Sequence, residues 1–208
     1  MSFGEVADAI GWVALLLGFG STVAQFDRVR RLGIEGVSIA TWTLFFLMSC
    51  FWVCYGVAVH SFVVVLSSVI LMPFQVSIVH RLHPRRAAAI VARSFAYAFL
   101  LCALTTYLWG WSGGLLGTGL LMIINRGPQI IELVRSRTGS GVSVASWSVG
   151  AICLVCWVVY YAGLRQWAAA VSTGVATLAS GSIALLATWR HHQVHETIEV
   201  GNAQLAQA

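Results

Sequence analysis

Long runs of apolar residues, separated by short polar or glycine-containing turns, divide this chain of 208 residues. A helix that crosses a hydrocarbon layer ~30 Å thick needs ~20 mainly apolar residues, because each residue rises ~1.5 Å. Seven stretches meet this requirement, at roughly 8–26, 38–59, 61–80, 88–109, 112–134, 143–163 and 167–189. The runs are too long and too continuous for the alternating strands of an outer-membrane barrel. The pattern therefore predicts an all-α integral membrane protein with seven transmembrane helices.

The sequence also contains an internal repeat. The segment GVSIATW at 36–42 returns as GVSVASW at 141–147, which is 105 residues later. Further pairs at this offset are Arg30 with Arg135, Trp52 with Trp157, Tyr55 with Tyr160 and Ser67 with Ser172, while Gln25 pairs with Gln129 at an offset of 104. Two copies of three helices face the same way only if a single helix between them returns the chain. We therefore predict a 3+1+3 arrangement with two parallel three-helix repeats.

The repeat sets the predicted domain boundaries. They are 1–80 for the first three-helix repeat, 81–110 for the linker and fourth helix, 111–190 for the second repeat, and 191–208 for a loose cytoplasmic tail. With 59% hydrophobic and 9% charged residues, the chain carries more apolar surface than one soluble domain buries. The lipid bilayer is therefore a predicted partner.

The positions of the arginines predict the orientation. All 12 basic residues are arginine, and eleven of them lie on one side of the predicted helices. These eleven are Arg28, Arg30, Arg31, Arg81, Arg85, Arg86, Arg93, Arg126, Arg135, Arg137 and Arg190. Because positive charge accumulates in cytoplasmic loops, the N-terminus is predicted to be outside and the C-terminus cytoplasmic. The net charge of +5 thus reflects topology, and we expect no nucleic-acid partner.

No pattern typical of a metal site, a cofactor or an enzyme stands out. Cys153 and Cys156 form a CxxC within a predicted membrane helix, where buried thiols are inert packing groups. His191, His192 and His195 fall in the predicted tail, where solvated histidines are common. The chain has no nucleotide-binding loop and no nucleophile elbow. We expect no cofactor, no metal and no enzymatic activity.

Two segments resemble a known family. The segment PQIIELVRSRTGSGVSVASW, which begins at Pro128, resembles a PQ-loop motif. The segment CFWVCYG, with Trp52 and Tyr55, resembles the aromatic WxxYG segment of SWEET and SemiSWEET sugar transporters. The resemblance covers 8–189 and implies two repeats about an axis along the membrane normal, with sugar transport by alternating access. The GVSxAxW pattern is similar to bacterial PQ-loop proteins, which implies a bacterial inner membrane.

The resemblance also implies a substrate site. Family members bind substrate with an asparagine 16 residues beyond the helix-two tryptophan, and this chain has Ser68 and Thr173 there. We expect Trp52 and Trp157 to form stacking walls around a polar solute. The hydroxyls expected to bind the solute are those of Ser67, Ser68, Ser172 and Thr173. The alternative is that the indoles form an interfacial belt and the hydroxyls pack helices together.

A hinge and a gate are predicted around the PQ motifs. Family members carry prolines in helices one, two, five and six, whereas here Pro128 of helix five has Ala24 as its counterpart. Proline removes one backbone hydrogen bond and bends a helix, so Pro128 is the predicted hinge. The other predicted gate residues are Gln25, Gln129, Arg126, Tyr55 and Tyr160.

Arg126 stands out because it lies ~20 Å from the start of the fifth predicted helix, beside Asn125. A charge within the membrane is costly and by default indicates a site. We expect Arg126 and Asn125 to contact the substrate or the inner gate, and to favour a solute with anionic character. The alternative is that Arg126 snorkels to the cytoplasmic headgroups.

These observations predict a facilitative transporter of a small hydroxylated solute. A sugar is the leading expectation for this solute. No Asp or Glu lies deep in a predicted span, which favours uniport over proton coupling. Two other functions stay open: an amino-acid or organic-acid carrier of the wider PQ-loop group, and a sorting receptor like the KDEL receptor. Two fused repeats suffice for a pathway within one chain, and a homo-oligomer is left open.

Overall fold

The computed structural model describes residues 3–82, 87–136 and 141–205, and within these ranges every regular element is helical. The α-helices are α1 (Phe3–Leu32), α2 (Ile39–Ala58), α3 (Phe62–Leu82), α4 (Ala87–Ala98), α5 (Thr105–Ile124), α6 (Arg126–Arg135), α7 (Val144–Gly163) and α8 (Trp167–Leu205). A π-helical segment, Phe99–Leu104, joins α4 to α5. The prediction of an all-α fold is confirmed.

Six helical stretches of the described residues are long and apolar enough to cross a membrane. They are Glu5–Leu32, Ile39–Ala58, Phe62–Leu82, Ala92–Arg135, Val144–Gly163 and Trp167–Gln193. Their outer surface is rich in large apolar side chains, of which Leu178 and Leu185 are 74% and 75% exposed. Soluble monomers rarely expose large contiguous apolar patches. The helices therefore indicate a membrane-embedded, multi-pass protein.

The fourth of these stretches doubles back at Gly110, whose backbone φ of 65° favours glycine. After this turn, Gly113 lies against the backbone carbonyl of Thr105. Gly117, which follows Gly113 by one helical turn, lies against the carbonyl of Leu101, which precedes Thr105 by one turn. The two legs therefore run antiparallel. Their backbones are so close that a β-carbon at either glycine would overlap the facing carbonyl.

One end of the bundle collects arginines from four helices, and we call it the basic end. These arginines include Arg30, Arg31, Arg81, Arg135 and Arg190. The guanidinium of Arg81 lies 5.7 Å from the ring centre of Phe26, which joins α3 to α1. Arg190 donates a hydrogen bond to the carbonyl of Val134, which joins α8 to α6. The predicted loop residues Arg85, Arg86 and Arg137 lie outside the described residues.

The opposite end holds the α2–α3 and α7–α8 turns. We call it the tyrosine end, because it contains Tyr55, Tyr160 and Tyr161. Each turn has one residue with a positive φ, 53° at His60 and 57° at Arg165. At the basic end, Ser38 and Ser143 cap α2 and α7, and each side chain accepts from the backbone N–H three residues later. The α2–α3 and α7–α8 hairpins thus begin and turn in the same way, 105 residues apart.

Helices from the two halves of the chain (1–80 and 111–190) pack against each other. Helix α1 packs on α3 and α7, α8 packs on α7 and α5, and α2 packs on α3 and α4. Buried apolar residues gather around Trp42 and Trp147 at the basic end, and around Tyr55 and Tyr160 at the tyrosine end. A cavity remains between these two clusters.

The first and last helices are longer than the predicted spans at 8–26 and 167–189. Helix α8 continues to Leu205, so 191–205 of the predicted tail is helical. A helix satisfies its own backbone hydrogen bonds, so it can continue from lipid into water. Residues 206–208 lie outside the described residues.

Candidate functional site

A cavity of about 210 Å³ lies where α1, α2, α3, α7 and α8 face one another beside the start of α6. The predicted site residues that line it are Trp52, Ser67, Ser68, Arg126, Trp157 and Thr173. The predicted site residues outside its lining are Gln25, Tyr55, Asn125, Pro128, Gln129, Tyr160 and Ser172. The cavity is therefore the candidate functional site, and most of the second group surrounds it at the two ends.

A phenol ring fills the space between the two predicted indole walls. Tyr161 stacks on Trp52 with ring centres 5.7 Å apart and an interplanar angle of 19°. It stacks on Trp157 in the same way, at 5.7 Å and 23°. Sequence reasoning missed this residue, although its counterpart 105 positions earlier is Gly56 and a large ring at a glycine position was a usable signal. The three rings close the cavity towards the tyrosine end.

The four predicted hydroxyls differ in their partners. Ser67 and Ser68 both donate to the backbone carbonyl of Val64, at 2.9 and 3.0 Å. Ser172 donates to the carbonyl of Ala169 and lies against Gly119, away from the cavity. These bonds are the usual way in which serine packs within a helix.

Thr173 is the exception among these hydroxyls. It is 1% exposed and lines the cavity, yet its Oγ1 has no hydrogen-bond partner among the described residues. Buried polar atoms in proteins are nearly always hydrogen-bonded, to protein or to water. Thr173 therefore offers a donor and an acceptor to whatever occupies the cavity.

Arg126 lies inside the bundle with its guanidinium at the cavity. It is 4% exposed, and its Nε donates to the hydroxyl of Ser180 on α8 at 2.9 Å. One terminal nitrogen, Nη1, donates to the Met122 carbonyl at 2.5 Å and to Asn125 Oδ1 at 3.0 Å. The guanidinium carbon lies 5.6 Å from the ring centre of Phe45. The side chain is thus held within the bundle.

Asn125 is a support for Arg126 in this arrangement. Its side-chain oxygen accepts from Arg126, and its amide nitrogen lies 3.3 Å from the sulfur of Met48. Asn125 is fully buried and does not line the cavity. Asn125 would therefore affect a solute indirectly, by holding the guanidinium of Arg126 in position.

Several polar residues of the cavity wall were not predicted, among them Gln75 and Ser49. Gln75 of α3 accepts a hydrogen bond from Ser49 Oγ at 3.1 Å through its Oε1. Its amide nitrogen has no partner among the described residues, and both residues line the cavity. A glutamine deep in the predicted span 61–80 is costly in lipid and was a signal for this position. Gln75 adds two N–H donors to the cavity wall.

At the basic end, Gln25 and Gln129 reach across to the opposite half of the chain. Gln25 donates to the carbonyl of Gly141 at 2.9 Å and accepts from the N–H of Ser143 at 3.0 Å. Gln129 donates to the carbonyl of Gly36 at 2.5 Å and accepts from the N–H of Ser38 at 3.1 Å. We call these contacts the glutamine clamps. They satisfy backbone groups that α2 and α7 leave unpaired at their starts.

At the tyrosine end, a second pair of contacts joins the halves. The hydroxyl of Tyr55 donates to Gln166 Oε1 at 2.7 Å. The hydroxyl of Tyr160 lies 2.9 Å from that of Ser61. In each case a tyrosine of one half reaches the turn of the other half, and we call these contacts the tyrosine clasps. The cavity thus lies between two sets of hydrogen bonds that join the halves of the chain.

Pro128 lies just after an interruption between two helices. Helix α5 ends at Ile124, Asn125 forms the junction, and α6 begins at Arg126. The backbone angles of Asn125 (φ −68°, ψ −19°) remain in the helical region. Proline has no N–H to donate to the carbonyl four residues earlier, here that of Ile124, so Pro128 leaves one helical hydrogen bond unmade within the predicted span 112–134.

In comparisons with known proteins, the chain matches no family model, no curated protein and no solved structure.

Proposed function

We propose that this chain is a facilitative transporter that moves a small hydroxylated solute across the membrane by alternating access. The observation that carries the proposal is a cavity inside the bundle, lined by aromatic and apolar side chains with a few polar groups, which lies between two sets of hydrogen bonds that join the halves of the chain. A carrier requires such a site, reached from one side at a time. The clamps and clasps are small enough sets of contacts to open in turn.

The proposal includes seven spans in a 3+1+3 arrangement. Helices α1, α2 and α3 form one repeat, and the part of α5 after Gly110, with α6, α7 and α8, forms the other. The linking span is α4 with the π-helical segment and the first residues of α5. The reciprocal contacts of Gln25 and Gln129 support this arrangement, because an axis between two equivalent units generates each contact from the other.

The cavity chemistry favours a small polar solute. Stacked aromatic rings, the Thr173 hydroxyl and the Gln75 amide together resemble the way proteins bind hydroxylated molecules. A sugar is the leading class of solute. An organic-acid or amino-acid carrier is the second candidate, and the buried Arg126 favours it. A sorting receptor would need a charged pocket at the outer end for a peptide carboxylate. Of the described arginines, Arg165 is the one that lies in a turn at the tyrosine end, so this function is less favoured.

The orientation is part of the proposal. Because arginines of four helices lie at the basic end, this end is assigned to the cytoplasm, with the N-terminus outside. We assign the protein to the cell (inner) membrane.

Uptake into proteoliposomes tests the proposal. The purified chain should accelerate entry of at least one solute from a panel of labelled sugars, organic acids and amino acids. The variants W52A and W157A should reduce this rate at least tenfold, while W167A, which replaces a tryptophan 63% exposed on the outer surface, should not. Uptake equal to that of empty vesicles for every solute would refute transport.

A further inference from the structure

We infer that the solute carries a carboxylate that pairs with Arg126, so that within the class of small hydroxylated solutes it is an acid, such as a sugar acid. This inference rests on the proposed transport function and names the substrate class for that site. It starts from a guanidinium that no carboxylate among the described side chains contacts.

No carboxylate among the described side chains contacts Arg126. Asp27 is engaged with Arg30 and Arg31 at the basic end, at 3.1 and 2.8 Å. Glu132, on the same helix as Arg126, is exposed on the outer surface. Buried charges in proteins are otherwise paired, because an isolated ion in a low dielectric is very unfavourable.

The remaining acidic residues lie far along the chain from the guanidinium. Glu5 and Asp8 are in the first turns of α1, at the tyrosine end, and Glu35 is in the loop before α2. Glu196 and Glu199 follow Ser180 on α8 by at least 16 residues, which is about 24 Å of helix at ~1.5 Å per residue. The chain therefore supplies no evident anion at this depth.

The hydrogen bonds of Arg126 leave one side of the guanidinium available. Its Nε and Nη1 are held by Ser180, Met122 and Asn125. Its second terminal nitrogen, Nη2, has no hydrogen-bond partner among the described residues, and the residue lines the cavity. A guanidinium with one terminal nitrogen open to the cavity can donate the two N–H groups of that nitrogen to a carboxylate, and its charge strengthens such a hydrogen bond.

Other open donors of the cavity specify the rest of the solute. Thr173 Oγ1 is buried without a partner, and the amide nitrogen of Gln75 has none among the described residues. Both side chains suit hydroxyl groups. The volume of about 210 Å³ limits the solute to a small molecule. A hydroxy acid or sugar acid uses the charge and the donors together.

Matched ligand pairs test this inference. D-glucuronate and D-glucose differ at one carbon, as do gluconate and sorbitol, and glycerate and glycerol. Binding is measured as ligand-induced thermal stabilisation of the purified chain in detergent at constant ionic strength, since a ligand specific for the folded state raises its stability. We expect at least one acid to bind roughly 10- to 100-fold more tightly than its neutral partner, the range for losing a charged hydrogen bond.

Variants of Arg126 assign the preference to the guanidinium. R126Q should lose the preference for the acid, and R126K should keep part of it, because lysine retains the charge but not the planar guanidinium that Ser180, Met122 and Asn125 hold in place. R135Q, which removes an exposed arginine from the same helix, should leave the preference intact. R126Q samples are compared only if they remain monodisperse and unfold cooperatively; otherwise R126K against R135Q decides.

The outcomes separate the inference from the transport proposal. Equal affinity for acid and neutral partners, no binding by any pair, or binding of chloride alone would overturn the inference. Uptake of neutral sugars unaffected by R126Q would overturn it while leaving transport in place. Arg126-dependent binding of an acid without uptake into proteoliposomes would support the inference and refute transport.

Discussion

Gln25 and Gln129 make equivalent hydrogen bonds in opposite directions across the bundle. Gln25 accepts from the N–H of Ser143 at 3.0 Å, and Gln129 accepts from the N–H of Ser38 at 3.1 Å. Each glutamine also donates to a glycine carbonyl of the same segment. The start of α7 is therefore held by α1, and the start of α2 by α6, so neither half of the chain is complete without the other.

Replacing either clamp should destabilise the protein to a similar degree. Q25A and Q129A each remove two hydrogen bonds and leave backbone groups unpaired in a buried site, which costs about 1–3 kcal/mol. Thermal unfolding in detergent measures the effect, with L185A, at a 75% exposed site of α8, as the control. A variant as stable as the control would show that its clamp contributes nothing to the fold.

Gly117 should not tolerate a side chain. A β-carbon there would overlap the carbonyl of Leu101, and backbone on both sides of the contact has little freedom to move. G117A should lower the yield of folded protein and reduce stability by about 3 kcal/mol or more. G20A is the matched control, because no atom lies within 4 Å of a β-carbon at that helical position. Equal yields of the two variants would contradict the close contact of the two legs.

Tyr161 should limit the size of the solute. Removing the ring in Y161A leaves a hole between Trp52 and Trp157, and loss of a buried aromatic side chain costs about 3–5 kcal/mol. If the protein remains folded, the larger cavity should admit solutes that the wild-type chain excludes. Proteoliposome uptake of a graded series of solutes measures this, with Y107A as the control at an 86% exposed site. An unchanged size limit in Y161A would contradict this role.

The hydropathy pattern was sufficient to predict the helices, because lipid forces backbone groups to bond within each segment. Trp52 and Trp157 could be assigned to the cavity because both lie inside a span and share an offset with the repeated motif. Tyr161 could not be placed from its sequence position alone. Its stacking on Trp52 is a contact between side chains of α2 and α7, which lie more than 100 positions apart in the sequence.

The partners of polar residues were harder to predict than their positions. Gln25 and Gln129 were recognised as special, but the segments that they hold lie in the other half of the chain. Arg126 was expected to bind solute or to reach the headgroups, and sequence could not decide between these. The position of its guanidinium depends on a hydroxyl of α8, Ser180, which no local pattern connects to it.

Transport should not depend on an imposed pH gradient. The described residues that line the cavity include no carboxylate and no histidine, so they provide no group that titrates near neutral pH. Uptake into vesicles with equal and unequal internal pH should therefore give the same initial rate at a fixed external pH. A solute with a pKa far below the working range avoids a change in its own charge. A several-fold stimulation by the gradient would overturn uniport.

The tyrosine clasps should control access to the cavity from the tyrosine end. Y55F and Y160F each remove one hydroxyl that joins the halves, and the loss of about 1 kcal/mol per bond shifts the equilibrium towards opening at this end. Cys153 is a native reporter, because it lines the cavity and its sulfur lies 3.1 Å from the Ala14 carbonyl when the site is closed.

A chain that retains Cys153, with Cys50, Cys54, Cys102 and Cys156 changed to alanine, allows the test. A membrane-impermeant thiol reagent added from the tyrosine end should modify Cys153 about fivefold faster in either variant, which is the rate change that ~1 kcal/mol produces. Y107F, altered on the outer surface, should react at the wild-type rate. Because the clasps are equivalent, the double variant should react faster than either single one. Equal rates in the parent chain, Y55F, Y160F and the double variant would mean that the clasps do not hold this end closed.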